Sequence, residues 1–415
     1  MFRKFACLIA LLVFVGARAA AAQTPTPAQP QSHEHMNMDA DGWQFMQDGV
    51  VFGMFNHQGG PRGGNQATAP NWWMGMLTGS IGSSRLTVDG MFSLDPATAG
   101  KSGYREIFQV GETLNGRPLI DRQHPHDFIM QLAAIWRTPL TGTTGLTIAA
   151  GPAGEPALGP VAFMHRASAS EYPFATLSHH TFDSTHIAYG VATVAVDRGP
   201  WVFEGSVFNG REPDENRWDF DFGRLDSISG RIWYRPTDRW ELQASTGHLV
   251  DPEELEPGNV QRTTASASWF RRDAVDFSAV TVGYGVNATE HGDRQAVFVE
   301  GTRRAGLNSV FGRVEVLQVE TNVLLNDEVP GDHESAVLAS TLGAFTVGGV
   351  RDVTRWHGVE AGIGASVTLY AVPRVLEPTH GTHPVSFQLF LRIRPPVSTM
   401  GRMWNMRMSQ PMRNP

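Results

Sequence analysis

The sequence predicts an all-β fold: a single antiparallel transmembrane β-barrel of about 16 strands, with long extracellular loops and short periplasmic turns. Three observations predict it. After residue 48 the chain breaks into roughly sixteen stretches of two-residue periodicity, near the length a tilted strand needs to cross a hydrocarbon layer. The gaps between those stretches alternate between long polar segments and turn-sized ones. An export signal precedes them, and no apolar run after it is long enough for a helical span.

Residues 1–22 read as a signal peptide. Arg3 and Lys4 form its basic start, ACLIALLVFVG its apolar centre, and the alanines after Arg18 offer small-residue cleavage sites. Residues 23–48 read as a flexible His/Met-bearing periplasmic arm: a Pro/Gln/Thr linker followed by His33, His35, Met36 and Met38. The barrel is assigned to 49–394 and a Met-rich tail to 395–415.

Strands are expected at 49–56, 71–80, 85–95, 126–137, 144–151, 185–197, 200–209 and 224–236, then at 238–248, 260–271, 274–289, 293–304, 307–320, 335–348, 356–371 and 383–394. The alternation is cleanest in the last of these. Val385, Phe387, Leu389, Leu391 and Ile393 share one face; Ser386, Gln388, Arg392 and Arg394 share the other. Trp240, Leu242 and Ala244 oppose Glu241, Gln243 and Ser245 in the same way. Apolar outside and polar inside is the pattern of a membrane barrel with a wet lumen. Even-numbered stretches are followed by short gaps such as Arg198-Gly199 and Ala305-Gly306, with 349–355 somewhat longer. Odd-numbered ones are followed by 57–70, 96–125, 152–184, 210–223, 249–259, 321–334 and 372–382, with the short gap 290–292 as the exception. An even strand number puts both ends of the barrel on the short-turn side. Most of the tryptophans, among them Trp73, Trp201, Trp233 and Trp240, fall near strand ends, where interfacial girdles lie. The last strand has no terminal aromatic: Phe390 lies inside it and a tail follows.

Net charge is −8, and removing Arg3, Lys4 and Arg18 with a signal leaves −8 − 3 = −11. A chain this acidic offers no basic surface, so nucleic acid is not an expected partner. The single Cys lies in the signal core, so the exported chain has neither disulfide nor thiolate metal site. Outer-membrane lipids and the barrel-assembly machinery are the expected partners.

Chemistry-bearing residues are unevenly placed. Of 15 histidines, all but His33, His35 and His357 map to the outer loops or their strand junctions. Two clusters are dense: Asp121 to Asp127, containing His124, His126 and Asp127, and Ser178 to His186, containing His179, His180, Asp183 and His186. A closed barrel brings these loops to one rim. Imidazole and carboxylate together suit a borderline divalent cation, Zn²⁺ or Cu²⁺. Hydrogen bonding between two folded loops accounts for the same residues. Loops 103–127 and 161–186 carry Tyr104, Phe108, Phe163, Tyr172, Phe174 and Phe182, apolar content that implies inward packing as a plug or constriction. His165, Arg166, Glu171 and Tyr172 are then candidate constriction residues. At the chain ends, His33, His35, Met36 and Met38 face a tail bearing Met400, Met403, Met406 and Met408. Thioether and imidazole select soft cations, copper above all; packing of Met under the barrel is the alternative.

An exported barrel with a His/Met-bearing arm before its first strand resembles the copper-resistance B family of outer-membrane proteins. The resemblance rests on residues 33–38 and the general architecture, and it implies soft-metal binding, tolerance or export with a copper ion as ligand. The arm is far shorter than that family's Met-rich repeats, and the C-terminal Met tail lies outside its pattern. Two other readings stand beside it. One is a porin-like channel narrowed by loops 96–125 and 152–184. The other is a rim-located hydrolase using His and Asp at 124–127 or 179–186, although no nucleophile elbow or phosphate loop is present.

Overall fold

The computed structural model describes residues 42–110, 113–255, 257–273, 276–326, 339–356, 359–395 and 402–409. Sixteen strands form a closed barrel: β1 Gln44–Gln58, β2 Asn71–Ile81, β3 Ser84–Phe92, β4 Ile129–Thr141, β5 Thr144–Gly154, β6 Ala188–Arg198, β7 Trp201–Phe208 and β8 Ser227–Thr237, followed by β9 Trp240–Leu249, β10 Val260–Asp273, β11 Asp276–Thr289, β12 Gly292–Ala305, β13 Asn308–Glu320, β14 Ala339–Trp356, β15 Val359–Ala371 and β16 Val385–Arg394. Each strand pairs antiparallel with its sequence neighbour. β16 closes on β1, with Met54 opposite Phe390. Closure leaves no long unpaired edge, which is what permits a sheet to sit in lipid.

Among the described residues, the gaps after even strands are two-residue turns, fixed by register pairs such as Ile81↔Ser84, Arg198↔Trp201 and Ala305↔Asn308. Gly82, Gly199 and Gly306 open three of these turns at φ near +60°, the left-handed first position that tight hairpins need and that only Gly adopts freely. On the other side we number the connections L1 (59–70), L2 (93–128), L3 (155–187), L4 (209–226), L5 (250–259), L6 (290–291), L7 (321–338) and L8 (372–384). The 290–292 gap is a real tight hairpin, Thr289 lying opposite Gly292, so the strand count stands.

Three sequence expectations are corrected. β1 begins at Gln44 rather than 49, because Asp48 is a lumen residue paired to Arg402 at 3.1 Å and not the end of a solvated arm. The segment 349–355 is strand, not turn. β14 runs on through it because Asp352 points into the lumen, bonded to Arg304 at 2.7 Å and to Arg392. Trp233 is not an interfacial girdle residue. It lies inside, its Nε1–H donating to Glu204 at 2.9 Å, with the Arg407 guanidinium 3.8 Å from its ring.

The outward face carries exposed apolar side chains on most strands. Val310 and Ile363 are each 60% exposed and Ile228 57%. A continuous belt of such side chains has no place in water, where burial of each is worth about 2 kcal/mol; hydrocarbon covers it. Trp43, Trp73, Trp201 and Trp240 are exposed with it, and Trp201 stacks on Tyr234 at 4.3 Å between ring centroids. No helix among the described residues is long and apolar enough to cross a membrane. The membrane reading therefore rests on the strands.

Inward faces carry charge. Glu204, Arg231, Glu241, Glu300, Arg313, Glu315, Arg392 and Arg394 are all buried lumen residues. A charge in that position needs a partner. The partners come from two segments folded into the barrel.

Candidate functional site

L3 enters the barrel from the long-loop side and touches most of its wall. Glu155 pairs with Arg231 of β8 at 2.8 Å. Arg166 donates to Glu300 of β12 and Asp183 of L3 itself, each at 2.8 Å. Glu171 accepts from Arg392, and from Arg394 of β16 at 3.3 Å. Ser178 donates to Glu315 of β13 at 3.0 Å. Aromatic packing follows the charges. Tyr172 lies on Phe311 and Phe182 on Phe298, with ring centroids 4.5 and 4.9 Å apart. The inward packing expected from L3's apolar content is observed. His165, Arg166, Glu171 and Tyr172 are buried members of a plug, not the rim of an open constriction. L2 packs against L3: Phe108 is buried, and Gln109 donates to the Thr176 carbonyl at 3.4 Å. His380 of L8 bonds Asp121 of L2 at 2.9 Å.

The tail enters from the other side. Arg402 bridges Asp48 of β1 and Glu360 of β15, at 3.1 and 2.8 Å. Trp404 lies on Phe277 of β11 at 4.4 Å. Arg407 reaches Glu241 of β9 and Glu204 of β7, each at 3.4 Å, and Ser409 also donates to Glu204. These partners lie on opposite walls, so residues 402–409 cross the lumen. The Asn405 N–H donates to the His165 carbonyl at 2.7 Å, joining tail to L3. A cavity of about 50 Å³ remains between them, bordered by Asp48, Tyr172, Arg402 and Trp404. That is room for a few waters.

This placement decides the methionines. Met403 and Met406 pack in a buried apolar cluster with Met54, Met74, Met76 and Phe390, and Met408 in another with Ile135, Ala149 and Val191. Their thioethers fill irregular apolar space; they are not displayed as a periplasmic ligand set. His33, His35, Met36, Met38 and Met400 lie outside the described residues.

The two histidine clusters do meet. His124 and His180, from L2 and L3, have ring centroids 6.0 Å apart. His179 and His186 are 5.2 Å apart, and His126 and His186 5.7 Å. The five imidazoles divide into two groups. His126 is bonded to Asp95 at 2.8 Å, His179 to Asp183 at 2.8 Å, and His186 to the Asp183 carbonyl at 2.7 Å. Asp127 is committed to Arg217 at 3.3 Å and Asp183 to Arg166 at 2.8 Å. These contacts are loop architecture. The other group is His124 and His180 with Glu212 of L4, whose potential ligand atoms all lie within 4.8 Å of one another. Glu253 of L5 adds a second carboxylate, 3.4 Å from His180 Nδ1; Glu212 is at 3.2 Å. Burial disfavours charge on His124, His180 and Glu212. The paired carboxylates nevertheless raise the His180 imidazole to about 10. For Glu212, the imidazolium overcomes burial and holds the carboxyl down to about 2. Burial drives His124 well below its usual range, with Glu212 opposing and the neighbouring imidazoles adding to the fall. Glu212 and Glu253 were not legible in the sequence: each is one acid among many in a polar loop, and only closure of the barrel sets L4 and L5 beside L3. The Ser178 hydroxyl is turned to Glu315, so the serine, histidine and aspartate types grouped at 178–186 do not form a nucleophile relay through it.

No protein-family model and no curated protein matches the sequence. Solved structures match in architecture. A Pseudomonas putida OprB structure superposes with a TM-score of 0.52 at 10% identity, covering 86% of this chain and 94% of that one. An anion-selective porin from Comamonas acidovorans does so with a TM-score of 0.50 at 10% identity, covering 85% of this chain and all of that one. At such identities the likeness is one of fold: this chain shares the closed antiparallel barrel architecture of those proteins.

Proposed function

We propose that the protein is a porin-like barrel of an outer membrane, a conduit for small solutes whose lumen is closed by its own chain until L3 or the tail is displaced. The observation that carries this is the lumen: a charge-lined interior inside an apolar outer belt, occupied by two segments that meet at Asn405 and His165. An interior built only for stability would be apolar, because buried ion pairs rarely outdo well-packed hydrocarbon. A charged wall suits a route that is wet when unplugged. Lipid of the outer membrane covers the belt, and that membrane's assembly machinery inserts it. The test is conductance in planar bilayers. Full-length protein should show long closed periods with brief openings. Replacing 160–183 by a short Gly/Ser linker should give steady, larger conductance. Absence of conductance from both forms, each shown to be folded, rejects the channel.

A further inference from the structure

We propose that His124, His180 and Glu212, with Glu253 as fourth donor, hold a borderline divalent cation such as Zn²⁺ at the loop side of the barrel, fastening L2, L3, L4 and L5 to one another. The site does not depend on the channel reading. Three observations carry it.

The first is the donor set. Two imidazoles and a carboxylate, all within 4.8 Å, come from three loops far apart in sequence. Tetrahedral zinc with bonds of about 2.0–2.2 Å needs donors about 3.3–3.6 Å apart. Side-chain rotations of about an ångström, on loops rather than strands, bring the set together.

The second is an unmet need. Glu212 is nine-tenths buried, yet neither carboxylate oxygen receives a properly aligned hydrogen bond, and His180 Nδ1 is in the same state. Buried polar atoms normally have partners.

The third is charge. Two carboxylates flank one imidazole here. The neighbouring guanidinium of Arg262 is committed to Asn287 and Ser184 at 2.9 and 3.0 Å. With neutral imidazoles the two carboxylates offer a divalent cation two negative donors, with the Arg262 guanidinium nearby. Access is present: His180 and Glu253 border a cavity of about 70 Å³. The scaffold is braced too, since Asn287 donates to the His180 carbonyl at 3.0 Å and the Glu212 N–H to Pro252 of L5 at 2.9 Å. Oxygen and imidazole donors without thiolate or thioether select zinc-like ions over Cu(I). The site is thus distinct from a soft-metal site at the chain ends.

The experiment is Zn²⁺ titration of the refolded full-length protein by calorimetry, with Co²⁺ as a spectroscopic probe. Expected are one tight equivalent and visible Co²⁺ bands of low-symmetry N/O coordination. His124→Gln and Glu212→Gln keep shape and should each weaken binding at least tenfold. The triple change of the L4 acids Asp214, Asp219 and Asp221 to Asn should leave it intact. Heat-modifiable gel mobility reports folding for each variant. If one variant misfolds, the other decides. Failure of wild type to bind Zn²⁺, or undiminished binding in a folded His124 or Glu212 variant, overturns the proposal.

Discussion

Glu171→Gln isolates the contact that holds L3 against β16. Glu171 is fully buried; it accepts from Arg392, from Arg394 at 3.3 Å and from Ser309 at 3.3 Å. Glutamine keeps the volume but removes the charge and turns an amide donor toward a guanidinium. Removing one partner of a buried pair costs about 3–5 kcal/mol. Asp352 still serves Arg392, and Glu360 still lies 3.5 Å from Arg394, so the lower end, about 3 kcal/mol, applies. At about 1.4 kcal/mol per tenfold change, the docked-to-released ratio of L3 falls about 100-fold. Single-channel recording reads this directly: open probability, low in the wild type, should rise by about that factor. The control is Arg137→Gln, which breaks an exposed pair with Asp197 on the turn side and should cost under about 1 kcal/mol. An open probability for Glu171→Gln within about threefold of the control refutes the reasoning, because the plug would then owe nothing to the pair.

Trp404→Ala should loosen the tail. Its ring packs on Phe277 and Phe270, and a loss of about 3 kcal/mol should appear as faster proteolysis of the C-terminus with the barrel itself unchanged. Ile363→Lys places a charge on the outward face of β15 at a residue 60% exposed. Refolding titrations in phospholipid vesicles should show a loss of about 2–4 kcal/mol if lipid covers that face, and almost none if water does. Raising pH should undock L2 through Glu106, which burial and then the Glu315 carboxylate push up to about 8. The folded pKa exceeds the unfolded one, so the stabilisation is complete below about 4.5 and is lost as pH rises to 8. Amide protection in 93–128, taken relative to the intrinsic base-catalysed exchange rate, should fall between pH 5 and 9 in the wild type and stay flat in Glu106→Gln.

The barrel was legible because its signal is local. Two-residue alternation and turn glycines act within about ten residues, so strand number, the alternation of short turns with long loops, and the inward fold of L3 could all be read from the chain. Errors fell where a strand residue's partner lies far away in sequence. Asp48 and Asp352 looked like loop acids because Arg402 and Arg392, which draw them into the lumen, are 354 and 40 residues distant.

The sequence alone determined the architecture and named most of the histidines, because periodicity and residue type need no partner to be recognised. Tertiary structure alone decided what those residues do. Closure of the barrel turned Met403, Met406 and Met408 from an exposed soft-metal set into packing. It committed His126, His179 and His186 to hydrogen bonds, and it set Glu212 beside His124 and His180. The physical reason is that a ligand set is defined by distances among three or four loops, and those distances exist only once the wall that anchors the loops has closed.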